Sequence, residues 1–474
     1  MAFMTNSIYS DLRCRFFVNK HDLSSSINEP NTLKTKSKNQ IQKMKTKSSI
    51  ILTALWSLAV AGVSSGATTY VTNPVIYVAG STAFAPADNL ALDNYAVNNG
   101  YTLVASTGST NPVSAKALLY KRQTATGSAS STTIKIDIIN VHQTGSEIAV
   151  ASAAGQALIP FLGNDATGLL TDATGTYTNN QQALIITSPV WQLSSRYHHG
   201  AYNGVTYGTL TEVLPTNSTT GIAAQIWGWS GSSNLPVSAQ NITWLQARYL
   251  FQKGSVPLSF LTGNAADTNS GVWLVGRDID AGARAATLAE IGSSATSNVV
   301  QYQVNTNGGV VSLSLQAAST NSAGVPSILG NGGYSSASSQ LTAVKNPVPA
   351  NLQVNGSNSP YATNYLIQYN AYAQTVGVTN NSGAQLVVPL NNNGVPISYD
   401  NVINGAYSFW TYEHLYLVPG TKATLAVKTV ASSIANFIGS QPSATLQQKA
   451  GQGYLNVNDL NVTRSSDGGV ISLK

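Results

Sequence analysis

Cysteine is almost absent from this chain of 474 residues, which has one, Cys14. It lies in the leading segment, so the rest can form no disulfide, no thiolate nucleophile and no cysteine-based metal site. Charge is also scarce, at 9% of residues. The formal net charge of +6 arises within residues 1–67, where Arg13, Arg15, Lys20, Lys34, Lys36, Lys38, Lys43, Lys45 and Lys47 face only Asp11, Asp22 and Glu29. The remainder is balanced, with Lys and Arg scattered, which excludes the basic face that nucleic acid requires. Histidine is rare, and no His-Glu-x-x-His pattern occurs; His198 and His199 are adjacent, not at the helical spacing of a metal pair, and a surface loop suits them better. The Gly-x-Ser-x-Gly elbow of serine hydrolases is missing, and Gly228-Trp229-Ser230-Gly231 departs from it. Glu413-His414 could be a catalytic pair, but a buried hydrogen-bonded pair beside a core strand explains it more simply. No enzymatic activity, cofactor or metal is expected.

Long apolar runs are lacking as well. Ile50 to Val60 falls short of the about 20 residues that a membrane span needs. With Lys45 and Lys47 before it and Ser65-Gly66-Ala67 after it, residues 44–67 read as a secretory signal peptide. Residues 1–43 precede it as a leader that an alternative start would omit. From Thr68 onward the chain is expected to be exported, periplasmic or secreted to the cell surface, with no stable membrane insertion after cleavage.

What is abundant is apolar residues, at 43%, together with Gly, Ser, Thr and Asn, an ordered composition that leans toward β-structure and polar loops. The length predicts two domains. The densest chemical signal is Gly271 to Gly292: Val272 to Val275 reads as a buried strand and Ala285 to Ile291 as helix-forming sequence. Between them Asp280 is placed to cap the helix, and Gly282 allows close approach to amide groups that attract an anion. Arg277 and Arg284 flank the turn, and guanidinium groups suit oxyanions. The alternative is a surface helix capped by Asp280, with Arg277 paired to an acidic neighbour.

The same layout occurs twice more. Val75 to Ala79 runs into Gly80-Ser81-Thr82 and a helix over 86–97; Ile134 to Ile139 leads through His142 to Gly145-Ser146 and a helix over 148–158. Gln182 to Ser188 reads as a central strand, and Ile222 to Trp229 as a further one. Ile242 to Phe251 has helical spacing closed by Lys253-Gly254. Residues 293–395 are rich in Ser, Asn and Gly without a strict repeat. Tyr407 to Val418 is a dense aromatic strand region, and a last helix covers 423–438 with Val427, Val430, Ile434, Phe437 and Ile438 on one side. Strands alternating with helices predict an α/β architecture. Trp227, Trp229 and Trp244 suit either interior packing or stacking on sugar.

In this order the segments resemble the phosphate-binding periplasmic proteins of ABC uptake systems, members of the type II periplasmic binding protein family. Val75 to Phe84 is similar to the family's first strand and Gly-Ser/Thr loop, Gly145-Ser146 to its Gly-Ser turn, and Ile242 to Leu258 to its helix and Phe-x-x-Gly segment. Arg277 to Ala283 has the spacing of its Arg-x-x-x-Ser-Gly-Thr signature, and Gly332-Gly333-Tyr334 and Asn401 to Tyr407 look like its later segments. The resemblance implies a two-lobed fold of mixed sheets flanked by helices, with a ligand cleft between lobes. Lobe I would be residues 68–190 and 405–474, lobe II residues 191–404, with the chain crossing near 190–220 and returning near 390–405. It implies capture of a small oxyanion, phosphate first, by Ser81, Thr82, Gly145, Ser146, Ser188, Arg277, Asp280, Ala281, Gly282 and Ala283, and an ABC transporter membrane complex as partner. Two departures stand out. Ala281 and Ala283 replace hydroxyl residues, and Thr187-Ser188 stand where an acidic acceptor is expected. The missing hydroxyls, the low charge and the long Asn-, Ser- and Gly-rich insertions favour an alternative, a surface or extracellular structural or polysaccharide-binding protein that kept the fold without its ligand. On the binding reading, Arg277→Ala is expected to abolish anion binding while sparing the fold.

Overall fold

A computed structural model describes residues 67–474, except 129–130, 156, 165–172, 214–219, 231–238, 319–327, 381–382 and 451–452. The expected leader and nearly all of the expected signal peptide lie outside the described residues. Residues 67–474 form one compact unit.

The elements that position the site are strands and helices in alternation. They are β1 Ala67–Thr72, β2 Ile76–Ala79, α1 Ala85–Asn98, β3 Thr102–Thr107, β4 Ala117–Ser128, β5 Ser131–His142, α2 Ser146–Gly155 and β6 Ile185–Ser188. The chain continues with β7 Gly221–Ser230, α3 Trp244–Lys253, β8 Ser255–Pro257, β9 Ser270–Val275, α4 Gly282–Glu290, α5 Ala337–Ala343, β10 Thr363–Ala371, α6 Tyr372–Thr375, β11 Trp410–Leu417 and α7 Leu425–Ser440. The α/β class expected from the sequence is present.

Local chemistry accounts for the helix ends. Thr243 and Gln246 form a reciprocal capping box at the start of α3, and Gly254, at φ +75°, closes it in the left-handed conformation that glycine adopts without a side-chain penalty. Thr424 accepts from the Val427 amide at the start of α7, whose buried stripe is Val427, Val430, Ala431, Ile434, Ala435 and Ile438. That stripe packs with Leu92 and Ala96 of α1, and with Ile185 and Leu415 of the sheet below.

The strands form one mixed sheet in the order β8-β9-β10-β7-β11-β6-β2-β5-β4-β3, with β1 paired to β5. β2 lies parallel to β5 and β6, whereas β11 runs antiparallel to β6. β7 joins two halves. Gly221 to Ala224 pair with Trp410 to Glu413 of β11, and Gln225 to Ser230 pair with Leu366 to Ala371 of β10. All ten of its residues are buried, Trp227 and Trp229 among them, so these two tryptophans are core and offer no sugar a face. The chain thus changes partner at Ala224–Gln225. It returns to the first half at Trp410. Within the Ser-, Asn- and Gly-rich region, Tyr302–Asn307, Val310–Leu315, Gln353–Val354 and Ser357–Asn358 form a separate four-stranded sheet.

Candidate functional site

Three strand-to-helix turns meet where the two halves touch. The Gly145 amide donates to the Gly80 carbonyl at 3.0 Å, and the Glu147 amide donates to the Asp280 carbonyl at 3.2 Å. Gly145 stands at φ +133°, a backbone shape that excludes most side chains, and a Cβ there would lie 3.0 Å from the Asp280 oxygen. A Cβ on Gly282 would lie 2.4 Å from Ser146 Oγ and 2.7 Å from Pro189 Cγ, so the third turn also needs glycine for its approach. Ser81, Gly145, Ser146, Ser188, Ala281, Gly282 and Ala283 therefore form one buried cluster. Thr82, at its margin, accepts from Gln374 Nε2 at 2.6 Å through its carbonyl.

Much of the hydrogen-bonding capacity of this cluster is spent internally. Ser81 donates its amide to Thr187 Oγ1 at 3.3 Å and accepts the Ala83 amide at 3.0 Å. Ser188 Oγ donates to the Val190 carbonyl at 3.1 Å. Asp280 does not cap α4. The N-cap residue is Ala281, which has no side chain able to accept, and the Asp280 carboxylate accepts from Tyr197 Oη at 3.4 Å. Among the described residues the amides of Gly282 and Ala283, in the first turn of α4, have no acceptor.

Arg277 is placed differently from the sequence expectation. It is 1% exposed, and all three guanidinium nitrogens donate to protein: Nε to the Tyr334 carbonyl at 3.1 Å, Nη1 to Asn370 Oδ1 at 3.2 Å and Nη2 to the Ser335 carbonyl at 3.2 Å. Arg277→Ala, expected from the sequence to abolish anion binding while sparing the fold, would strand three acceptors in the interior. Arg284 is buried too, bonding the Asn331 carbonyl at 2.8 Å and Asn331 Oδ1. Burial lowers the pKa of both, that of Arg284 to about 10. Burial, with Asp280 adding to it, pushes the Asp278 carboxyl up to about 7. Glu147 likewise rises to about 7 by burial, although the Arg196 amide at 2.8 Å and Ser195 Oγ at 3.1 Å hold part of its charge.

A pair of buried carboxyl groups lies beside the cluster. Thr187 Oγ1 donates to Asp88 Oδ2 at 2.6 Å. Burial raises Asp88 to about 8, and Glu413, buried near it, rises well above the usual range for the same reason. Asp88 of α1 thus reaches the Thr187 side chain at the end of β6. Sequence reading passed over Asp88 because an acidic residue in a first helical turn is ordinary. Glu413 and His414 do not act together: His414 Nδ1 lies 2.6 Å from Glu212 Oε1, with Trp191 packed on its ring at 4.5 Å. Adjacent residues of a strand face opposite sides, which separates them. His142 Nδ1 donates to the Pro160 carbonyl and His198 Nδ1 contacts that of Ser195. Among the described residues no group of His, Cys, Asp and Glu is arranged to hold a metal, and no helix is long and apolar enough to cross a membrane.

The cluster defines an α/β protein in which strand-to-helix turns converge from two halves of a sheet. No family model matches the chain, and no curated protein does. Among solved structures, it is similar to a putative phosphate ABC transporter substrate-binding protein with bound phosphate from Clostridium perfringens, at 13% identity and a TM-score of 0.40 over 81% of this chain and 100% of that one. It is similar to an ABC-type phosphate transport receptor from Vibrio cholerae at 12% identity and a TM-score of 0.41, over 81% and 100%. A third similar structure is PstS from Borrelia burgdorferi, at 10% identity and a TM-score of 0.34, over 81% and 99%.

Proposed function

We propose that this chain is an exported solute-binding protein that captures a small oxyanion, phosphate first, and delivers it to an ABC transporter. Lobe I would comprise residues 68–190 and 405–474, and lobe II residues 191–404. The observation that supports this reading best is the meeting of Gly80-Ser81, Gly145-Ser146 and Asp280 to Ala283 in one cluster, with the Gly282 and Ala283 amides lacking acceptors among the described residues. Amides at a helix start, with buried guanidinium charge behind them, favour a negatively charged ligand. Arg277 would act through its charge, since its donors are engaged.

A second reading has its own support. The turns are packed so closely that Ser146 Oγ occupies the space beside Gly282, and the Asp280 carbonyl already caps α2. On this reading the fold persists without its ligand, in a structural or polysaccharide-binding role, and the exposed Trp244, Tyr249 and Phe260 provide apolar rings at the surface.

Thermal unfolding with phosphate, arsenate, sulfate and chloride at matched ionic strength separates the two. A ligand at about 1,000 times its Kd stabilises the native state by about 4 kcal/mol, a plain shift in midpoint. Stabilisation by phosphate and arsenate is the expected result. Identical midpoints in all four anions would refute the oxyanion reading and leave the second.

A further inference from the structure

The main sheet runs from β8 to β3, and both of these ends are blunted. β8 is three residues long and stops on Pro257, while β3 carries a register shift between Leu103 and Ala105. Shortness, proline and bulges are devices by which edge strands avoid pairing with other chains. β1 has none of them. Its six residues, Ala-Thr-Thr-Tyr-Val-Thr, include no charge, proline or glycine, and they pair with Ser131 to Ile136 of β5 in unbroken register. Among the described residues β1 has no second strand beside it. The side chains from Thr68 to Thr72 are all exposed, Tyr70 at 45%, so both faces of the strand are open as well as its edge.

One hydrogen bond fixes which backbone groups that edge presents. The Asn73 amide donates to the Ile136 carbonyl at 2.9 Å, so the backbone groups of Thr69, Val71 and Asn73 point at β5, and those of Thr68, Tyr70 and Thr72 point away from it. A row of unpaired amides and carbonyls on an uncharged strand of β-branched and aromatic residues is a template for another strand. β1 is its own complement. Laid antiparallel about Tyr70, two copies set Tyr70 against the partner's Tyr70 and Thr68 against the partner's Thr72. These are the residues with outward backbone groups, so each pair exchanges both N–H···O bonds. Aromatic and Thr–Thr pairs are favourable across strands, and no like charges meet. We infer that two copies of this chain associate edge to edge through β1, about a two-fold axis at Tyr70, and so join their sheets. Six residues span only about 20 Å of edge, and the dimer is accordingly a weak one, in the micromolar range. The inference is independent of the oxyanion reading, since neither the turn cluster nor an anion takes part.

Analytical ultracentrifugation of the purified protein over a concentration series tests it. A monomer–dimer equilibrium is expected, and a protein that stays monomeric up to about 1 mM would overturn the inference. Tyr70→Lys sets two ammonium groups opposite each other at the axis and should weaken dimerisation by about tenfold, and Tyr70→Asp should do the same with two carboxylates. Mixing these two variants in equal amounts should restore the dimer, because the facing charges are then opposite. Tyr70→Phe should dimerise as wild type does. Tyr70 lies outside the core, so in dilute solution the unfolding midpoints of all three variants should equal that of wild type, and recovery in the mixture shows directly that the variants are folded. Dimerisation unaffected by Tyr70→Lys would place the contact on another surface and overturn the inference. A mixture that associates no better than either variant alone would overturn the two-fold axis at Tyr70 and with it the inference.

Discussion

Arg277 occupies a position where a guanidinium was expected to meet a ligand, yet its three nitrogens tie the 334–335 segment and Asn370 to the end of β9. Tyr369 Oη and Gln301 Nε2 meanwhile donate to the Arg277 carbonyl at 3.3 and 2.8 Å. Removing one partner from such a network leaves buried acceptors without donors, the costly kind of loss. Arg277→Ala should therefore destabilise the protein by about 3 kcal/mol, read from urea unfolding. Arg277→Lys should recover little of this, because an ammonium cannot reproduce the planar fork. Unfolding midpoints for both variants equal to wild type would contradict the structural role.

At the scale of elements, the Asp88–Thr187–Glu413 contact joins α1, β6 and β11. Burial raises the Asp88 pKa from 3.8 to about 8, so the folded chain keeps a proton that the unfolded chain releases. The stability linked to that proton is complete below about pH 4 and is lost as pH rises through about 8. Glu147 and Asp278, raised to about 7, add to the same decline. Asp88→Asn should make the fall in stability between about pH 4 and 8 shallower, measured as unfolding free energy across that window. A slope identical to wild type would show that Asp88 is ionised in the fold.

For the whole molecule, β7 decides how the halves behave together. Ile222 and Ala224 pack in the same core as Trp227 and Trp229, with Val272 and Ile367 from one half and Trp410 and Tyr412 from the other. A strand hydrogen-bonded into both halves and a continuous core transmit unfolding from one to the other. Calorimetry of residues 67–474 should show a single transition, with calorimetric and van't Hoff enthalpies in agreement. Two resolved peaks would mean that the halves are separate folding units and that β7 is only a tether.

The elements legible in the sequence were those whose signal is local. Val272 to Val275 and Tyr407 to Val418 are continuous apolar or aromatic runs, the α7 stripe repeats at helical spacing, and Lys253-Gly254 marks the end of α3. The turns at Gly80, Gly145 and Gly282 were also visible, because their Gly and Ser residues answer to backbone geometry. Their meeting was not, since it depends on β2, β5 and β9 occupying one sheet, a matter of pairing between distant residues. The state of Arg277 was hidden for the same reason: its acceptors come from residues 334, 335 and 370, and no spacing near 277 announces them. Sequence alone determined the α/β class, the alternation of strands and helices and the places of the glycine turns, because these follow from periodicity and from residues a few positions apart. Tertiary structure alone decided that β7 serves both halves and that Asp88 meets Thr187, because burial and pairing arise only when remote segments are brought together.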